Sequence, residues 1–338
     1  MALTTNELFS RIKPSQIREF DELFRSVEGC IPMTIGEPDF DMPENVKRAA
    51  IKAIEDNASH YAHTSGEIGV RKAVSEFLEK QYDLHYDPET EIVMTVGATE
   101  GLFAAAFGLL NPGDQVIIPS PYFPLYSYAV ELNRGECILV DTSDTGFLMT
   151  PELLHKTMAE NKNVKALFLN YPSNPTGATY TKDELIALAD AIKQYDIFVL
   201  SDEIYSEITY GEKHTSIATL LRDRTILFQG ASKAFAMTGW RVGVLAADAK
   251  WMKTLFLAHQ QLVTTGVTVS NRAAEEAFRN SAPDVEKMRS EYEKRKKHQI
   301  TVVFDGGQSD WIDEGRDREG KILILYSRFG EKADDVIK

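Results

Sequence analysis

Short runs of apolar residues alternate along the chain with longer stretches in which apolar positions recur at a helical period. The runs are rich in β-branched and aromatic residues and are bounded by turn residues, which is typical of buried strands. They lie at 91–98, 115–121, 137–143, 164–172, 196–203 and 225–232. Strands that alternate with helices predict an α/β fold, with a mostly parallel, doubly wound sheet and helices on both faces.

Helical patterns fill the intervals between these runs and extend beyond them. The segment 181–195 begins with a threonine cap followed by acidic residues, and the segment 99–114 ends at a Pro-Gly stop. We predict two further helices at 42–58 and 66–82, ahead of the first strand, and a long charged helix at 283–299.

Composition and charge narrow the possible classes of protein. The chain has 338 residues, of which 43% are hydrophobic, enough for about two domains with a substantial core. Its net charge of -14 argues against nucleic acid or an anionic membrane as the main partner. No apolar run is long enough to span a bilayer, and the N-terminus lacks a signal-peptide core. We therefore expect a soluble cytoplasmic protein in which Cys30 and Cys137 are buried free thiols.

Polar residues follow four of the predicted strands at the points where the strands end. In open α/β sheets, ligands bind beyond the carboxyl ends of the strands. The residues placed there are Thr99, Asn174, Asp202, Tyr205 and Lys233. Each is commonplace at a turn or a helix cap when taken alone, so their convergence on one edge is the informative observation.

These residue types suit a phosphorylated aldehyde cofactor. Lys233 lies in "GASKAFAMTGWRVG", and a lysine in such weakly polar surroundings loses its proton readily and forms a Schiff base with a carbonyl. Asp202 can pair with a pyridinium nitrogen, which makes the ring an electron sink. The segment "GATEG" opens a helix whose first amides suit a phosphate, and Arg241 can clamp the same group.

This combination resembles the class I/II aminotransferases of pyridoxal-phosphate fold type I. The motifs "SDEIYSEITY", "NYPSNPTG" and "SKAFAMTGWRVG" match cofactor motifs of that family, and "IGEPDF" matches its substrate-side loop. The resemblance covers roughly residues 5 to 297. Within the family, the chain is most similar to bacterial aspartate, aromatic and N-acetyl-diaminopimelate aminotransferases.

The resemblance implies a role for each matching residue. Lys233 would carry pyridoxal 5'-phosphate and move the substrate proton, Asp202 would pair with the ring nitrogen, and Tyr205 would hydrogen-bond the ring's phenolate oxygen. The implied cofactor-binding residues are Gly97, Ala98, Thr99, Phe123, Asn174, Asp202, Tyr205, Ser232, Lys233, Arg241 and, across a dimer interface, Tyr61. The implied substrate-binding residues are Gly36 and Asn174.

Some positions leave alternatives open. Phe123 would stack on the cofactor ring, but it could instead be a core residue, and its neighbour Tyr122 is the second choice for stacking. Many relatives have serine where this chain has Gly230, and the adjacent Ser232 could compensate. His60 and His63 are three residues apart without a further His or Cys, so we predict no metal site.

The domain prediction places a large cofactor-binding domain at 31–275. Residues 1–30 and 276–338 would form a small domain, joined to the large one by the charged helix. We expect the run "RVGVLAA" at 241–247 to be an antiparallel strand of the main sheet. The family arrangement also implies a homodimer with shared active sites.

The residues after about 298 do not fit the family pattern. They show no "Pro-x-Gly-Ala-Phe-Tyr" strand and no arginine to pair with the substrate α-carboxylate. One interpretation is an end that is truncated or reading-frame-altered relative to the family, and the other is a divergent small domain.

The predicted function is therefore a ping-pong transfer of an amino group from an L-amino acid, such as aspartate or an aromatic residue, to a 2-oxo acid. One alternative is a C-S β-lyase that uses the same cofactor. A second alternative is a cofactor-binding protein with impaired activity, because the carboxylate-binding arginine is missing from the sequence.

Overall fold

The computed structural model describes residues 3–10, 12, 16–30, 34–296, 301–303 and 321–323. Within them, seven strands form one sheet in the order β1-β7-β6-β5-β4-β2-β3. The strands are β1 (Ile92–Val96), β2 (Gln115–Ser120), β3 (Glu136–Asp141), β4 (Val164–Asn170), β5 (Phe198–Asp202), β6 (Thr225–Gly230) and β7 (Val242–Ala246).

The directions of the strands match the predicted mixed sheet. Strands β2 to β6 pair in parallel, whereas β7 runs antiparallel to both β1 and β6. The six apolar runs are therefore β1 to β6 of a single sheet, and the run at 241–247 supplies the antiparallel strand. Both predictions are confirmed.

Helices cover both faces of the sheet. They are α1 (Gln16–Ser26), α2 (Glu44–Glu55), α3 (Ile68–Tyr82), α4 (Gly97–Leu109), α5 (Leu125–Leu132), α6 (Pro151–Glu160), α7 (Lys182–Ile192), α8 (Ala231–Ala234), α9 (Ala249–Val263), α10 (Thr268–Asn280) and α11 (Ala282–Lys296). Helix α7 begins as the sequence predicts, because Thr181 accepts the Glu184 amide while the Glu184 carboxylate accepts the Thr181 amide.

The core lies on the two faces of the sheet. Helices α4, α5 and α9 pack on one face, over strand residues such as Phe168 and Phe228. On the other face, α6 and α7 cover β2, β4 and β5, and α2, α3 and α10 cover β1, β6 and β7. Strands covered on both faces need apolar residues on both sides, which explains why the runs are continuous rather than alternating.

The strand register brings the ends of three strands to one level. Asn170 at the end of β4 pairs with Asp202 at the end of β5, and Asp202 pairs with Phe228 of β6. Strand β6 then ends at Gly230, opposite Gly243 of β7. The loops that follow β4, β5 and β6 therefore leave the sheet side by side.

The cysteine prediction was partly wrong, because Cys30 is exposed and Cys137 is half-buried; both are free thiols. The domain bounds at 30/31 and 275/276 remain a prediction. Much of the predicted small domain, at 297–300, 304–320 and 324–338, lies outside the described residues. Within them, β8 (Thr301–Val303) pairs antiparallel with β9 (Lys321–Leu323). Among the described helices, none has both the length and the apolar character to cross a bilayer.

Candidate active site

Asp202 lies at the end of β5 with only 5% of its surface exposed. The Tyr126 hydroxyl donates to its Oδ2 at 2.8 Å, and the Ile204 amide donates to its Oδ1 at 3.2 Å. Burial raises the pKa of Asp202 to about 6, although these two hydrogen bonds and the charge of Lys233 oppose the rise. A buried carboxylate with few donors gains from a cationic partner.

Lys233 lies on α8, the short helix that follows β6. Its Nζ donates to the carbonyl oxygen of Gly36 at 2.7 Å and lies 5.5 Å from the centre of the Tyr205 ring. Burial lowers the pKa of Lys233, and the charge of Arg241 lowers it further against the opposing effect of Glu37 and Asp202. A lowered pKa favours the neutral amine, which is the nucleophilic form.

An anion cradle lies where α4 begins. The first amides of a helix have no partner within the helix, and here the guanidinium of Arg241 lies against the first residue of α4. A Cβ at Gly97 would collide with Arg241 Nη2, and a Cβ at Gly243 would collide with the backbone of Gly97 and Ala98. Gly97 also has a positive φ of 70°. Glycine at both positions is what allows the helix start and Arg241 to converge.

A chain of hydrogen bonds joins the ends of β4 and β5. Asn170 donates from Nδ2 to the backbone carbonyl of Asp202 at 2.9 Å and accepts the backbone amide of Asn174 at 2.7 Å. The Asn174 side chain hydrogen-bonds Tyr205. Burial raises the pKa of Tyr205, and the nearby charge of Asp202 adds to the rise. Tyr205 and Asn174 are thus held together, as the motif spacing predicts.

Two residues of this site were missed in the sequence. The sequence favours Phe123 and Tyr122 over Tyr126 for the ring contact, and it predicts no role for Asn170, although Asn170 begins the motif "NYPSNPTG". Tyr126 stacks on Phe168 with ring centroids 4.8 Å apart, and Phe123 lies edge-on to Tyr126 at 5.8 Å. Phe123 is therefore one ring away from the Asp202 carboxylate. No local pattern distinguishes these rings, because the pairing of Tyr126 with Asp202 spans 76 residues.

The remaining predicted residues have different surroundings. Ser232 is buried beside Lys233, whereas Thr99 in the first turn of α4 is exposed and Ala98 is half-buried. A Cβ at Gly36 would meet nothing within 4 Å, so its link to the site is the carbonyl that accepts from Lys233. Tyr61 is 89% exposed.

The surroundings of Gly230 explain why glycine stands at this position. A Cβ built at this position would lie 2.8 Å from the carbonyl oxygen of Val242, on the paired strand β7. Any side chain there would force β6 and β7 apart. The close pairing of the two strands therefore favours glycine, and the hydroxyl residue adjacent to Lys233 in the sequence is Ser232.

The residues present fit a phosphorylated pyridine aldehyde. One edge of the sheet holds an amine with a lowered pKa, a buried carboxylate with two donors, a tyrosine–asparagine pair and a cradle for an anion. These groups match, in turn, the aldehyde, the ring nitrogen, the ring hydroxyl and the phosphate of such a compound. The fit rests on the collisions that glycine avoids at positions 97 and 243 and on the chemistry of the donors.

Comparison with known proteins gives the family. The family model for aminotransferase class I and II matches residues 28–302. The chain belongs to the class I and II aminotransferases. It is an aminotransferase, and the predicted resemblance and fold are both confirmed. The matched relatives are named as aminotransferases, so the lyase and the poorly active binding protein are not favoured.

Three relatives show how far the likeness extends. A probable N-acetyl-LL-diaminopimelate aminotransferase of Bacillus subtilis is 43% identical over 87% of this chain and 73% of its own length. Aromatic-amino-acid aminotransferase 2 of Thermococcus litoralis is 38% identical over 87% and 77%. The solved aspartate aminotransferase from Thermus thermophilus with maleate superposes with a TM-score of 0.84 at 33% identity, covering 89% of this chain and 82% of that chain.

A second family model overlaps the first at its end. Residues 268–338 match the YacP-like NYN domain, so residues 268–302 are shared by the two matches. This match covers less than half of the chain and shows only a resemblance.

Proposed function

We propose that this aminotransferase binds pyridoxal 5'-phosphate at the carboxyl edge of its sheet, with Lys233 as the covalent attachment point. The convergence of Lys233, Asp202 and the α4 cradle carries this proposal. Arg241 and the amides of Gly97, Ala98 and Thr99 would hold the phosphate. Asn174 and Tyr205 would hold the ring hydroxyl.

The cofactor, when bound, supplies an electron sink that stabilises negative charge on the substrate's α-carbon. Asp202 would keep the ring nitrogen protonated, and the hydrogen bond from Tyr126 orients Asp202 and favours its ionised form. Lys233 moves the proton at the α-carbon, because burial lowers its pKa and so favours the neutral amine, which can act as a base. The carbonyl of Gly36 accepts from Lys233 and so holds the amine beside the substrate-side loop.

We also propose a homodimer in which Tyr61 reaches the phosphate of the other subunit. In one chain this tyrosine is 89% exposed. Large apolar side chains are also exposed at Ile51 and Ile54 of α2, Phe107 of α4 and Leu257 of α9. Scattered exposed apolar residues are normal on a protein surface. A dimer interface that covered these side chains would remove the free-energy cost of exposing them to water.

The proposed substrates are an L-amino acid, such as aspartate or an aromatic amino acid, and a 2-oxo acid. The names of the relatives support this range, since they include N-acetyl-LL-diaminopimelate, aromatic and aspartate aminotransferases. All of these amino donors carry an α-carboxylate beside the reacting carbon.

A titration tests the reaction. The protein is loaded with pyridoxal 5'-phosphate and mixed with L-aspartate or L-phenylalanine while the cofactor absorbance is followed. We expect the band to shift to that of the amine form with release of one 2-oxo acid per site, and a second 2-oxo acid to restore the band. Pyruvate with ammonia from a cysteine conjugate would indicate a lyase instead, and an unchanged band would contradict catalysis.

A further inference from the structure

His259 is a buried histidine that the proposed chemistry does not use. It lies on α9 with 0% of its surface exposed. Its Nδ1 lies 3.1 Å from both carboxylate oxygens of Glu100, and its Nε2 lies 3.0 Å from the carbonyl oxygen of Thr64. A carboxylate and a carbonyl can only accept, so both ring nitrogens must donate. His259 is therefore an imidazolium.

Glu100 places a negative charge directly behind the anion cradle. It stands in the first turn of α4, where its Oε2 also accepts the amide of Val96 at 3.2 Å. This hydrogen bond caps the helix and leaves the amides of the following residues for a phosphate. An uncompensated carboxylate at that place would repel the phosphate. The imidazolium of His259 cancels its charge.

The second ring nitrogen of His259, Nε2, hydrogen-bonds the segment that contains Tyr61. Thr64 lies three residues after Tyr61, and its carbonyl accepts from His259. The same segment is held by Thr268, which donates to the carbonyl of His60 at 2.9 Å. One histidine thus joins the start of α4 to the Tyr61 segment.

We propose that His259 is a positioning residue that keeps the phosphate cradle and the Tyr61 segment in one charge-balanced unit. This inference rests on the proposed cofactor site. The cradle serves the chain's own active site, and Tyr61 serves the partner's. Removing the imidazolium would therefore weaken the grip on phosphate at both sites without touching the groups that contact the ring.

The protonation of His259 follows from its neighbours. Burial lowers the pKa of His259, but the hydrogen bond and charge of Glu100 and the hydrogen bond to Thr64 outweigh it, so the pKa is raised. A raised pKa means that the imidazolium and its ion pair with Glu100 are fully formed below the ordinary histidine pKa. The ion pair is lost as pH rises through the raised value.

The test measures binding of pyridoxamine 5'-phosphate and of pyridoxamine to the cofactor-free protein. His259→Gln leaves Glu100 uncompensated, so we expect its Kd for pyridoxamine 5'-phosphate to rise about tenfold, a change of about 1.4 kcal/mol. The Kd for pyridoxamine, which has no phosphate, should not change. His155→Gln is the matched control, because His155 is hydrogen-bonded to Tyr195 and lies on α6, away from the cradle.

Glu100→Gln separates charge balance from a purely structural role. This variant keeps the cap on Val96 and removes the carboxylate charge, so we expect nearly wild-type binding from it alone. Combined with His259→Gln, it should restore the part of the phosphate affinity that the uncompensated charge removes. If both single variants and the double variant lose phosphate affinity equally, the charge-balance proposal is wrong. Equal loss of pyridoxamine affinity in His259→Gln would also overturn it.

Two further results distinguish a failure of the His259 proposal from a failure of the proposed cofactor site. If wild-type protein binds neither pyridoxamine 5'-phosphate nor pyridoxal 5'-phosphate, the proposed function fails as well. If His259→Gln does not fold, nitrogen-15 NMR of histidine in the wild type decides. We expect one histidine protonated on both ring nitrogens at neutral pH and lost from that state in Glu100→Gln. A neutral ring at this position in the wild type would contradict the inference.

Discussion

Two buried carboxylates stand next to each other at the end of β5 and differ in how fully they are hydrogen-bonded. Asp202 accepts two hydrogen bonds, from Tyr126 and from the backbone. Glu203, with 0% exposed surface, lies within hydrogen-bond distance of four side chains. They are the hydroxyls of Tyr171, Ser201 and Ser216, at 3.1, 2.7 and 2.9 Å, and Nε2 of His214, at 2.7 Å.

The difference distinguishes the carboxylate that we propose binds the cofactor from one that supports the fold. A carboxylate offers about four acceptor positions, and Glu203 has four side-chain partners, three at Oε1 and one at Oε2. Asp202 has acceptor positions that no donor fills, and leaving them unfilled costs free energy because the carboxylate is buried. A protonated ring nitrogen would supply the missing donor. The number of hydrogen-bond donors, rather than the degree of burial, therefore distinguishes the two carboxylates.

The largest effect that we predict is on catalysis by Asp202→Asn. The amide keeps the shape, and its oxygen can still accept from the Ile204 amide, but its NH2 group can only donate, so the hydrogen bond with Tyr126 must reverse. The neutral amide also cannot hold a proton on the ring nitrogen. We expect half-transamination to slow by about a thousandfold, roughly 4 kcal/mol, as for other preorganised electrostatic groups. Single-turnover absorbance measures this rate, and an unchanged rate would remove Asp202 from the mechanism.

The same variant should alter the pH dependence of stability in the cofactor-free protein. Because the folded pKa of Asp202 is about 6 and its ordinary value is 3.8, the folded state holds the proton more tightly and loses stability as pH rises through about 6. We expect Asp202→Asn to gain about 2 to 3 kcal/mol over wild type at neutral pH. Urea unfolding across this window measures the gain, which should vanish near pH 4; a gain independent of pH would contradict it.

Glu203→Gln is the matched substitution at the neighbouring position and should have the opposite signature. The amide cannot accept all the donors that surround Glu203, so we expect a loss of about 2 kcal/mol in the free energy of unfolding. Turnover per folded, cofactor-loaded molecule should change by less than about threefold, roughly 0.6 kcal/mol. A thousandfold loss of turnover without destabilisation would erase the distinction between the two carboxylates.

Tyr126→Phe removes one of the two donors to Asp202 and should slow catalysis less than Asp202→Asn does. A hydrogen bond to a charged group contributes about 1.5 kcal/mol, so we expect kcat/KM to fall about tenfold. The acid limb of the pH profile should also move to higher pH, because the Asp202 anion is less stabilised. Tyr180→Phe is the control, since Tyr180 bonds the backbone of Met149 instead. An unmoved profile in Tyr126→Phe would contradict the link.

The sequence was sufficient to predict the sheet and the residues at its edge. Continuous apolar runs predict strands buried on both faces, and all six runs lie in one sheet with the strand at 242–246 antiparallel. Motif spacing placed Asn174, Asp202, Tyr205 and Lys233 correctly at neighbouring strand ends. These features depend on local pattern and on strand order.

Long-range side-chain pairs could not be predicted in the same way. Tyr126 pairs with Asp202 and His259 with Glu100 across 76 and 159 residues, and nothing around these residues indicates their partners. The number of donors to Asp202 and Glu203 likewise depends on residues from several elements. Contacts of this kind follow from packing in three dimensions.

Reductive trapping tests the central claim most directly. The protein is incubated with pyridoxal 5'-phosphate, reduced with borohydride and cleaved into peptides for mass analysis, with Lys233→Ala as the paired sample. The account predicts one pyridoxyl group per chain, on the peptide that contains Lys233, and none at stoichiometric level in the variant. Full labelling of Lys233→Ala, or labelling of the wild type at other lysines alone, would contradict the account.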